Sequence, residues 1–108
     1  MATTQDFVEY VCEQIQTVGD VRYKKMFGEY MVYLNNKPIF LVCDNTVFVK
    51  TLNCVKERLN FADKGIPYKG AKEHYILDID DGDLTREVAI ELEQVTPIPK
   101  PKKPKNPK

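Results

Sequence analysis

Three cysteines, Cys12, Cys43 and Cys54, and one histidine, His74, are the residues of this chain with the chemistry for nucleophilic catalysis. A thiol becomes a strong nucleophile when a neighbouring base or cation holds it as thiolate, and a Cys–His pair must meet in the folded chain to work. Each cysteine also has a plain packing role. Cys12 falls on the apolar side of a predicted helix, Cys43 at a strand end and Cys54 at a helix start. Free cysteine commonly packs as a small hydrophobe, so the three are read as structural and no catalytic residue is assigned. Their odd number and the lack of a CxxC spacing favour free thiols in a reducing cytoplasm.

Metal binding is the next chemistry to weigh. Asp78, Asp80, Asp81 and Asp83 cluster around Gly82. A calcium loop needs an Asp-x-Asp-x-Asp order and a glutamate at its twelfth position, and zinc takes about four closely grouped Cys, His or carboxylate ligands. Neither pattern is present, so the cluster reads as a solvated turn ahead of a capped helix. No metal or other cofactor is expected.

Cations offer a third kind of chemistry. Residues 1–99 hold 11 Lys and Arg against all 16 Asp and Glu, a net of −5, whereas Lys100, Lys102, Lys103, Lys105 and Lys108 make the last nine residues +5. Five lysines on an extended segment can neutralise phosphates without reading sequence. The tail has no aromatic residues for base stacking; a solubilising tail that pairs loosely with its own acidic domain, or a variable extension of no function, reads it equally well. Arg22, Lys24 and Lys25 form a second basic group. They suit contact with a phosphate or an acidic partner, or the protection of an edge strand against further pairing.

These residues need elements to hold them. At 108 residues the chain makes one domain, with 43% apolar residues to fill one core and no run long enough to span a membrane. Thr3 or Thr4 caps a helix over Gln5–Val18, ended by Gly19. Strands follow over Val21–Met26, Tyr30–Leu34, Pro38–Cys43 and Thr46–Thr51, with Gly28 as a bulge or turn. Asn35-Asn36 and Asp44-Asn45 suit two-residue turns because Asn and Asp tolerate the left-handed conformation. A short helix is expected over Asn53–Asp63, a loop over Tyr68–Glu73, a strand over His74–Ile79 and a last helix over Leu84–Val95, capped by Asp83 and stopped by Pro97. The α-β-β-β-β-α-β-α order predicts an α+β domain over residues 1–96, with helices packed on an antiparallel sheet. The Pro- and Lys-rich residues 97–108 cannot bury enough apolar surface to order themselves and are expected to be a disordered tail.

If both turns are two-residue loops, alternation puts Tyr30, Val32, Leu34, Ile39, Leu41, Cys43 and Phe48 on one face. Met31, Tyr33, Phe40, Val42, Val47 and Val49 then fall on the other. Both faces are apolar, unlike a sheet with one side in water. The two terminal helices can cover one of them. The rest of the domain or a second copy of the chain must cover the other.

Over Tyr23–Lys50 the chain resembles the N-terminal domain of the bacterial competence regulator TfoX (Sxy). The resemblance is carried by the Lys25-Met26-Phe27-Gly28 step, by Val32-Tyr33 before an Asn-Asn-Lys turn, and by Phe40 leading through Val42 and Asp44 to Val47-Phe48-Val49-Lys50. It extends more weakly over residues 5–95. It implies one antiparallel sheet with helices packed on it, similar to type III secretion chaperones, and a bacterial cytoplasmic protein. In TfoX a second, helical domain follows and the whole switches on competence genes; this chain ends where that domain would begin. The reading that emerges is a stand-alone, non-enzymatic regulatory domain that binds a protein partner, as a homodimer in one form. The alternative is a nucleic-acid-associated factor that uses the lysine tail.

Overall fold

Asn35 and Asn36 take positive φ (53° and 67°), as do Asp44 and Asn45 (54° and 55°). These values come from a computed structural model that describes residues 3–26 and 29–98. Positive φ at both central residues is the type I′ turn, whose twist matches that of the strands it joins. The two turns connect β2 (Glu29–Leu34), β3 (Lys37–Cys43) and β4 (Thr46–Val49) into a meander. With β1 (Val21–Met26), β5 (Lys64–Gly65) and β6 (His74–Leu77), they form an open antiparallel sheet in the order β1-β2-β3-β4-β6-β5.

Helix α1 (Gln5–Ile15) starts at Thr4, whose hydroxyl accepts the Phe7 N–H at 3.2 Å. Helix α2 (Gly82–Val95) starts at Asp81, whose carboxylate accepts the Leu84 N–H at 3.1 Å. Each helix buries one stripe: Val8, Val11 and Ile15 on α1, and Thr85, Val88, Ala89 and Leu92 on α2. Both stripes join one core with Tyr30, Val32, Phe40, Val42, Val47, Val49, Tyr75 and Leu77 from a single face of the sheet. The molecule is therefore an α+β domain of two layers, helices on sheet.

Several boundaries differ from the sequence reading. Helix α1 ends at Ile15 rather than Val18, and its C-cap is Gln16, not Gly19. Gly19 instead provides room for a close approach, since a Cβ there would lie 2.8 Å from Asn35 Oδ1 and 2.9 Å from Leu34 Cδ1. Helix α2 begins two residues before Leu84, and Asp81 rather than Asp83 is its cap. Strand β4 stops at Val49 and β6 at Leu77. The helix expected over Asn53–Asp63 is a 3-10 turn at Asn53–Val55 followed by further turns. Its hydrogen bonds mostly reach three residues back, as in Lys56 to Asn53 and Ala62 to Leu59. Asn, Cys, Phe and Asp in this segment favour a helix weakly. Val55 and Leu59 are nonetheless buried. The chain then adds β5, which the sequence pattern does not announce.

The largest correction concerns the faces. Val32 pairs with Phe40 but Tyr33 pairs with Pro38, so Ile39 is an extra residue, a β-bulge. The bulge moves the rest of β3 by one step of the alternation. Phe40 and Val42 thus join Tyr30 and Val32 in the core, and Leu41 and Cys43 turn to the other face with Met31 and Tyr33. The reading of Gly28 as a bulge or turn, the motif positions Phe27 and Gly28, and tail residues 99–108 lie outside the described residues.

Candidate functional site

The sheet face opposite the helices carries one continuous row. Lys24 pairs with Met31, Met31 with Leu41, Leu41 with Phe48, and Phe48 with Ile76, each step crossing to the next strand. Directly paired residues share a face. Five strands at a spacing of about 4.8 Å make a row roughly 19 Å long. Four of its members are large and apolar. Met31, Leu41 and Ile76 are half-buried and Phe48 is 8% exposed. Arg22, Tyr33 and Pro38 form a second, shorter row beside it.

At one margin of this face the sheet opens. Strand β4 pairs only with Leu41–Cys43 of β3, so the first part of β3 runs on past it. A cleft of about 460 Å³ lies there, lined by Met31, Leu41, Lys50, Leu52, Tyr68 and His74 and, from the helical layer, by Leu92 and Val95 of α2. The His74 ring meets Phe48 edge-on at 6.4 Å between centroids, and its Nδ1 lies 2.7 Å from the Lys72 carbonyl oxygen. This packing and backbone contact account for His74 without a thiol partner.

The thiols are held in their protonated form. Burial, with the Glu9 carboxylate nearby, pushes the Cys12 thiol up to about 11. Burial, with Glu29 and Asp44, does the same for Cys43, also to about 11. Burial and then Glu91 raise Cys54. A thiolate nucleophile requires a shift in the opposite direction.

The aspartate cluster is occupied by structural bonds. Asp80 accepts the Tyr10 hydroxyl at 2.6 Å, and Asp78 accepts the Asp80 N–H at 3.2 Å. Asp81 caps α2, and Asp83 pairs with Arg86. Among the described residues no three His, Cys, Asp or Glu side chains converge as a metal site would require.

The basic residues singled out in the sequence separate. β1 is an edge strand of the sheet. Arg22 and Lys24 share the open face with Tyr33 and Met31, while Lys25, opposite Tyr30, belongs to the core side. Arg22 is bonded to Asp20 at 3.2 Å; Lys24 and Lys25 are exposed, as is Lys50. Of the other residues singled out in the sequence, Tyr33 and Lys50 border the open face and Met26 is half-buried on β1. Lys100, Lys102, Lys103, Lys105 and Lys108 lie outside the described residues.

No family model matches the chain. An uncharacterized 12.7 kDa protein of Spirochaeta aurantia, described by its position in the trpE 5′ region, is 33% identical over 111 residues. The match takes in 97% of this chain and 93% of that protein. The chain belongs to that protein's family. The shared length includes the open sheet as well as both helices. No helix among the described residues is long and apolar enough to cross a membrane.

Two features of the surface escaped the sequence reading. Ile76 completes the apolar row, and its apolar neighbours in Tyr75–Leu77 hid that it faces away from the core. Phe61 is 96% exposed at the turn before β5, beside a second, shallower cleft that includes Ile76 and Leu84. Helical spacing in Asn53–Asp63 gave no signal for it.

Proposed function

We propose that this protein is a non-enzymatic interaction domain whose working surface is the open sheet face. The observation that supports it most is the row Met31–Leu41–Phe48–Ile76 on the side the helices leave uncovered. Partly exposed apolar side chains gathered in one patch favour a protein contact. The raised thiols and the structural bonds of the aspartates support a binding rather than a catalytic role. The resemblance of Tyr23–Lys50 to the TfoX N-terminal domain supports a regulatory setting, in transcription and in the cytoplasm.

Two occupants suit the face: a second copy of the chain, or a different protein. Sedimentation equilibrium of the full chain and of Leu41→Glu separates them. Self-association that Leu41→Glu abolishes supports the homodimer. A monomer at high micromolar concentration removes it and leaves a different protein as occupant. Association that Leu41→Glu leaves unchanged counts against the sheet face as the working surface.

A further inference from the structure

We infer that the open sheet face takes an acidic protein segment bearing large apolar side chains. This rests on the interaction reading above and adds the chemistry of the occupant. The Met31–Leu41 half of the apolar row lies between Lys24, paired with Met31, and Lys50, which lines the cleft with both; at the far end Asp63 and Asp78, both exposed, line a cleft with Ile76. Both lysines are exposed. Arg22 adds a third cation, partly answered by Asp20. Glu29, the carboxylate that β2 brings to this face, is tied down at the strand end by the Thr3 hydroxyl (3.0 Å) and the Asp44 N–H (3.1 Å). The acidic side chains of the helical layer, among them Glu9, Glu13 and Glu87, sit on the opposite side of the sheet. A domain that is net negative over residues 1–99 thus sets cations on both sides of Met31 and Leu41.

That pattern selects among occupants. Two copies stacked with Met31 and Leu41 against their own counterparts would bring Lys24 and Lys50 of one chain near the same cations of the other, and like charges across an interface are costly. A single nucleic-acid strand binds by stacking bases on open aromatic rings. Here Phe48 is 8% exposed and Tyr33 is half-buried, which leaves the exposed Tyr68 at the cleft as a single ring rather than a stacking track along the row. An acidic segment answers the lysines with carboxylates, sets apolar side chains on Met31 and Leu41, and has room for one such anchor in the cleft.

The test is to pan a random-peptide library on the full chain, counter-selecting on Leu41→Glu. The expected enriched peptides carry net negative charge and at least two large apolar residues. Their affinity is expected to fall roughly tenfold in the double variant Lys24→Glu, Lys50→Glu, whose exposed sites leave the fold intact. Neutral or basic peptides that still require Leu41 overturn the acidic occupant while the interaction face stands. A dimer dissociated by Leu41→Glu, with no acidic enrichment, does the same and assigns the face to a second copy. Oligothymidylate bound in a Leu41-dependent manner, or no enrichment at all, overturns both.

Discussion

Asp20 and Asn35 hold each other twice: the Asn35 N–H donates to the Asp20 carbonyl at 2.7 Å, and the Asp20 N–H donates to Asn35 Oδ1 at 2.9 Å. The pair fastens the entry to β1 onto the β2–β3 turn. Gly19 sits against that amide, in a space where a methyl group would collide with it. Asn35→Gly keeps the positive φ and removes only the side-chain bonds, so it is expected to cost about 1 kcal/mol. Gly19→Ala is expected to cost about 1–3 kcal/mol by overpacking. The double variant should cost less than the sum, because removing the amide makes room for the methyl. Urea unfolding of the four proteins measures the coupling; strict additivity would contradict it.

Asp81 and Asp83 look interchangeable in sequence and differ in the fold. Asp81 closes the first turn of α2, whereas Asp83 is 89% exposed and, among the described residues, pairs with Arg86 one turn on. Asp81→Ala should destabilise by about 1 kcal/mol. Asp83→Ala should stay within about 0.5 kcal/mol of the parent. Thermal melts of the two variants rank them, and the reverse order would place the cap at Asp83.

Phe40 and Leu41 are neighbours with opposite roles. Phe40 is fully buried between sheet and helices, and Leu41 lies on the open face. Phe40→Ala should cost about 3–5 kcal/mol. Leu41→Ala should cost less than about 1.5 kcal/mol. Equal losses in chemical denaturation would mean that the open face is packed as tightly as the core.

The thiols set a pH dependence. Cys12 and Cys43 ionise near 11 in the folded chain, against an ordinary value of 9.0. A folded-state value above the unfolded one gives stability that is complete below about pH 9 and is lost as the pH climbs towards 11. Replacing both residues by alanine should flatten that part of the stability curve. At neutral pH a thiol reagent should modify these two sites far more slowly in the folded chain than in urea. Fast labelling of either would indicate an ionised thiol.

Much of the fold could be read from residues whose preferences are local. Asn35-Asn36 and Asp44-Asn45 announce left-handed turns, Thr4 announces a cap, and the stripes Val8–Val11–Ile15 and Val88–Leu92 announce helices. The choice of core face could not be read in this way. Ile39, Leu41 and Cys43 are as apolar as Phe40 and Val42, so periodicity gave no preference, and the bulge that decides between them has no marker of its own. Lys64–Gly65 is too short to show alternation. Of the candidate site, Met31 and Tyr33 share a face by simple alternation along one strand, whereas Leu41 and Phe48 join them only once the register is known.

The two ends of the sheet are closed by unlike means. β1 offers six residues of strand edge guarded by exposed Arg22, Lys24 and Lys25, while β5 is two residues long and runs into Pro67 two positions later. The first barrier is electrostatic, so salt or a polyanion weakens it; the second is built into the backbone and does not respond to solvent. A ladder that can lengthen through one border only is complete once two chains have joined. The geometry therefore guards this protein against growing into fibres even under conditions that strip away its charge.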